Sequence, residues 1–145
     1  MVDPDILASI LNNLRGYLKK LAILAALPPQ EFTRYFTNVE SAKHLLQVSI
    51  ECCLDIAHHI VSDEGYRIPE NYYDTFVVLH EEGILPADFM PTLRQMVSFR
   101  NRMVHLYWDI DDTIVYRILQ ENLDDFNRYI TYIQNFVRDE TAAEK

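Results

Sequence analysis

Leu7, Leu11, Leu14, Leu18, Leu21 and Ala25 follow one another at 4-3-4-3-4 spacing, and Leu119, Leu123, Phe126, Ile130, Ile133 and Val137 repeat that rhythm near the other end. Such spacing lays each set along one stripe of an α-helix. Two sustained stripes of this period need near-parallel or antiparallel partners, so the chain is constrained to a helical bundle. Only three glycines occur in 145 residues, and the six prolines stand between periodic segments. That distribution suits long helices rather than many strands and turns. A single domain over residues 1–145 accommodates the length, with residues 139–145 expected to fray.

The boundaries can be read in order. Asp3-Pro4 is a helix start, an N-cap followed by proline at the first helical position. Pro28-Pro29 ends that helix, and a second is predicted over residues 30–62, apolar on most sides between Leu45 and Val61. Its one polar stripe is His44, Gln47, Glu51, Asp55, His58 and Ser62. Residues 63–68 read as a loop around Gly65. Pro69 opens a short helix through Tyr72, Phe76 and Leu79, with Gly83 as its C-cap. Pro86 or Pro91 starts a fourth long helix. After an interruption at residues 109–112, Asp111 or Asp112 caps the last one. The prediction is an all-α, up-and-down bundle of four long helices and one short one.

The net charge of −9 argues against nucleic-acid binding by the whole surface. Between Asp88 and Asp109, however, no acid occurs, and the segment carries Arg94, Arg100, Arg102, His105, Tyr107 and Trp108. This basic island is where a polyanion would be drawn. Adjacent Cys52 and Cys53 cannot readily bridge each other within a helix. With no leader or long apolar run apparent, a cytoplasmic protein without membrane attachment is expected.

On a helical wheel Leu93, Val97, Arg100, Val104 and Tyr107 share one stripe, so Arg100 stands where an apolar residue is expected. A partly buried guanidinium needs an acidic or carbonyl partner, and Glu51 or Asp55 can supply it. The plain reading is an ion pair that fixes helix register. His105 lies five residues on, roughly 140° away, whereas Arg102 and His105 share a face. One site using Arg100 and His105 therefore requires the helix to end nearby, the arginine to curl round, or a second chain to complete a cleft.

A histidine near an arginine suits metal-free phosphodiester cleavage. The imidazole moves a proton to or from the attacking 2′-hydroxyl or the leaving oxygen, and the guanidinium stabilises charge at phosphorus. Asn101 is placed to hold the imidazole or a phosphate oxygen. The same pair on a helix is also a common structural arrangement. Asp55-x-x-His58 has the spacing of a carboxylate-bridged metal bundle, but no second such pair exists, so no metal is expected. Gly-rich phosphate loops, nucleophile signatures and zinc spacings are absent.

Arg100-Asn101-x-x-x-His105-x-Tyr107 is similar to the R-(polar)-x3-H-x-Y motif of HEPN-domain proteins, and the chain resembles the HepT-like ribonuclease toxins among them. The likeness takes in RNRMVHLYWDID from Arg100, FVVLHEEGILP from Phe76 and QVSIECCLDIAHHI from Gln47, covering about residues 40–126. It implies a HEPN bundle that dimerises to bring two motifs into one cleft. It implies a metal-independent endoribonuclease without cofactor, the toxin of a type VII-like toxin–antitoxin pair, checked by a minimal nucleotidyltransferase antitoxin of the MntA type. Arg100 and His105 would be catalytic, Asn101 and Arg102 supporting, and Tyr107 the residue that receives AMP. Two other readings stand beside it. One is a non-catalytic HEPN subunit that binds nucleotide or presents substrate to a separate nucleotidyltransferase. The other is a helical dimerisation protein in which Arg100 pairs with Glu51 for structure alone.

Overall fold

The computed structural model describes residues 1–143. Among these there are seven α-helices and no strand: α1 Pro4–Ala25, α2 Pro29–Arg34, α3 Phe36–Glu64, α4 Tyr72–Glu81, α5 Met90–His105, α6 Asp112–Glu121 and α7 Leu123–Ala143. α3 is the central helix, with Leu46, Ile50, Cys53, Ile56, Ala57 and Ile60 all buried. Among the described residues it alone is long and apolar enough to cross a membrane, and most of that stretch is buried against its neighbours.

Asp3 caps α1, its Oδ1 accepting from the amides of Asp5 (2.9 Å) and Ile6 (3.4 Å). The Val2 amide donates to Glu64 Oε1 at 3.1 Å and the Asp3 amide to Asp63 Oδ2 at 3.0 Å. These bonds tie the start of α1 to the end of α3, so the two run antiparallel. α5 also runs against α3, since Arg100 meets Glu51 and Tyr107 meets Glu40. Gly65 and Gly83 terminate α3 and α4 with positive φ of 69° and 78°.

Two expected helices are each broken in two. Residues 30–62 divide at Tyr35, whose φ of −113° and ψ of 119° are extended. The break has a packing cause. Phe32 is fully buried against Tyr116, while Phe36, four residues on, is 77% exposed. One straight helix would put both on one face. The last helix divides at Asn122, where φ is −121°. α6 is held to the end of α1 by Tyr116 Oη donating to Leu27 O (2.6 Å) and Gln120 Nε2 to Ala25 O (2.7 Å). α7 turns away to bury Phe126, Tyr129, Ile130 and Ile133. The 4-3-4-3 rhythm runs across the break because a single-residue kink barely rotates the stripe.

Smaller corrections follow from caps. The short helix starts after Asn71, whose side chain accepts from the Asp74 amide, and Pro69 lies in the loop before it. Pro91, in the first turn, belongs to α5, while Pro86 precedes a 3-10 turn. Asp111 is the cap of α6. The 63–68 loop begins only at Gly65. Residues 139–143, read as a frayed tail, are helical, consistent with the helix-forming Glu140, Ala142 and Ala143; residues 144–145 lie outside the described part.

Arg67 staples the loop before α4 onto it, with bonds of 2.8 Å to both Asp74 oxygens and 2.8 and 3.0 Å to Glu81. The guanidinium holds the Asp74 carboxyl down at about 2 and lowers Glu81 too. A depressed carboxylate adds stability above its unfolded value, near 3.9, which is lost as pH falls towards 2. Thermal melts should therefore show wild type losing more Tm than Arg67→Met between about pH 5 and about pH 2. Equal losses would count against the staple.

Candidate functional site

α5 is built to bring the basic island out of the core. Leu93 and Val97 are buried, Arg100 is half-buried with 16% of its side chain exposed, and Val104, next on the stripe, is 43% exposed. Beyond Arg100 the stripe has left the core.

The Arg100 guanidinium is fixed on three sides. Nη2 donates to Glu51 Oε1 at 3.4 Å, and Gln47 Nε2 donates to that same oxygen at 3.2 Å. Nη1 donates to Asn101 Oδ1 at 3.2 Å. The Tyr72 ring lies 4.9 Å below its central carbon. Nε is buried without an acceptor. Of the two partners considered, Glu51 takes the role, and Asp55 stays exposed on the rim. Asn101 serves the guanidinium rather than the imidazole.

His105 is the last residue of α5 and is exposed. Its imidazole has no hydrogen bond or ion pair among the described residues. α5 is helical through His105, so Arg100 and His105 stay roughly 140° apart and do not touch within one chain. Arg102 folds over the next turn, with Nη2 3.4 Å from Asp109 O and 3.9 Å from its carboxylate. The groove of about 430 Å³ beside α5 takes in Arg94 and Arg102 but neither Arg100 nor His105.

Tyr107 is not on the Arg100 stripe. The helix stops at His105, Leu106 has φ −134°, and Tyr107–Asp109 form a 3-10 turn. The turn swings the phenol onto α3, where its hydroxyl donates to Glu40 Oε2. The Lys43 ammonium lies 4.8 Å from the ring centroid and pairs at 3.8 Å with both Glu40 and Asp112. Burial above all, then Glu40 and Asp112, pushes the phenol up to about 12.

Glu40, Lys43, Asp112 and Tyr72 are the neighbours that sequence reasoning did not find. Lys43 left a signal. It stands on the stripe Val39, Lys43, Leu46, Ile50, Cys53, an apolar row broken by one cation, as Arg100 breaks its own. Asp55-x-x-His58 does not form a paired site: His58 Nε2 sits 3.2 Å from Thr75 Oγ1, and Tyr72 packs edge-on at 6.1 Å. Among the described residues, no three His, Cys, Asp or Glu side chains cluster to hold a metal.

A family model described as ribonuclease HepT-like matches residues 2–133. The chain is 33% identical over 104 residues to an mRNA nuclease HepT of Shewanella oneidensis, covering 72% of this chain and 78% of that one. It is 24% identical over 136 residues to a tRNA nuclease HepT of Aphanizomenon flos-aquae, covering 94% and 92%. Its fold matches a tri-AMPylated HEPN toxin of Shewanella oneidensis, solved in complex with an MNT antitoxin, with a TM-score of 0.84, 28% identity and coverage of 92% and 99%.

Proposed function

The chain belongs to the ribonuclease HepT-like family, and from that membership we propose that it is an endoribonuclease toxin whose active unit is a homodimer. Two copies bring Arg100 and His105 into one cleft, and a nucleotidyltransferase antitoxin silences the enzyme by transferring AMP to Tyr107. The supporting observation is the contrast between the two motif residues: Arg100 is held by Glu51, Asn101 and Tyr72, while His105 is exposed and has no hydrogen-bond or ion-pair partner among the described residues. A preorganised cation suits charge stabilisation at phosphorus, and a free imidazole suits proton transfer.

Cleavage in this reading needs no metal. His105 takes the proton of the 2′-hydroxyl as it attacks phosphorus, or protonates the departing 5′-oxygen. Arg100 faces the charge gathering on the non-bridging oxygens. Val104, Leu106 and Trp108, all exposed around His105, offer apolar surface to a second copy or to an unstacked base. The Arg100–Glu51 ion pair would then serve activity by aiming the guanidinium, and need not be only a register device.

Purified, unmodified protein is expected to cleave single-stranded RNA undiminished in EDTA. Protein made with its antitoxin is expected to carry AMP, to lose that adduct in Tyr107→Phe, and to cleave poorly while modified. Cleavage abolished by EDTA and restored by a divalent cation would overturn the metal-free reading. An adduct surviving Tyr107→Phe would overturn the regulatory one.

A further inference from the structure

We propose that Glu40 is the general base of Tyr107 adenylylation, so that the toxin supplies a catalytic group to its own silencing; this rests on the reading of Tyr107 as the residue that receives AMP.

The geometry divides the two oxygens of one carboxylate. Oε2 accepts the Tyr107 hydroxyl, and Oε1 faces the Lys43 ammonium at 3.8 Å. Lys43 is only 6% exposed and lies 3.8 Å from Asp112 on its other side. It is therefore a fixed cation that keeps Glu40 turned towards the phenol. Glu40 itself is 47% exposed, so water can collect a proton from it after the step.

The chemistry requires such a group. With the phenol pushed up to about 12, Tyr107 is neutral at physiological pH. A neutral phenol attacks phosphorus well only if its proton leaves as the new bond forms. In the step, Tyr107 Oη bonds to the α-phosphorus of a nucleoside triphosphate held by the nucleotidyltransferase. The bond from that phosphorus to the bridging oxygen breaks, and pyrophosphate leaves with its electron pair. The phenolic proton passes to Glu40 Oε2. Glu40 becomes neutral as Tyr107 acquires the anionic phosphodiester, so the charge around Lys43 stays constant through the transfer.

The test is a rate assay of AMP transfer from labelled ATP by the antitoxin, with the toxin as varied substrate. Glu40→Gln keeps an acceptor for the phenol but cannot take its proton. Its kcat is expected to fall by about 10²-fold or more, with KM within about twofold of wild type. Glu40→Asp, which retains a base, is expected to transfer at least about tenfold faster than Glu40→Gln. Transfer by Glu40→Gln at the wild-type kcat, or a loss confined to KM, would overturn the proposal, the latter marking Glu40 as a docking contact. Labelling of Tyr107→Phe would instead remove the premise. A silent Tyr107→Phe beside a fully active Glu40→Gln would refute the general-base role alone.

Discussion

Replacing His105 with alanine is expected to slow RNA cleavage by about 10²- to 10⁴-fold while leaving the melting temperature unchanged. Both halves follow from the same observation. The imidazole is exposed at the end of α5 and makes no hydrogen bond or ion pair among the described residues, so its removal breaks neither. A residue that adds little to stability but a large factor to rate acts through its chemistry. Arg100→Ala is expected to lose about 10²- to 10³-fold, but it also leaves Glu51 without its cation, so a loss of stability must be measured beside it. Arg100→Lys is the cleaner companion. It keeps the charge and gives up the planar fork, and should lose most of the rate with less effect on folding. Initial rates on single-stranded RNA in EDTA decide the matter, and a folded His105→Ala that cleaves at the wild-type rate would sink the site.

The second large effect is a gain. Arg100→Ala and His105→Ala chains, each inactive, should recover about a quarter of wild-type activity when unfolded together, refolded and mixed in equal amounts. Half of randomly paired dimers are mixed. In a mixed dimer, a site taking Arg100 from one copy and His105 from the other is intact once and broken once. If each site instead drew both residues from one chain, every site in the mixture would lack a residue and activity would stay near zero. The separation of roughly 140° around a continuous α5 is the reason to expect the first result. Size measurement of the wild-type chain gives the control, since a protein that cleaves as a monomer needs no second copy.

The bundle was legible because helix caps and apolar stripes are local signals. Asp3, Gly83 and Asp111 act where their chemistry places them, and four long helices emerge close to expectation. The breaks at Tyr35 and Asn122 were not legible. Nothing in their own residues forbids helix; they arise because Phe32 must reach Tyr116 and Tyr116 must reach Leu27, contacts made across 84 and 89 positions. The pairing of Arg100 with Glu51 could be anticipated, as a guanidinium on an apolar stripe has few options. Tyr107 could not be placed, because the wheel assumes the helix continues past His105. A turn of three residues was enough to move the phenol from the α5 stripe to Glu40 and Lys43 on α3.

Trp108 is the chain's single tryptophan, 80% exposed, and directly follows Tyr107 in that turn. The protein thus carries its own optical probe at the point where RNA, a second copy and AMP are all proposed to arrive. Emission from the free chain should be that of an indole in water. Dilution and titration with uncleavable RNA can each be followed as a change in one fluorophore, with no label attached and no second tryptophan in the chain to subtract.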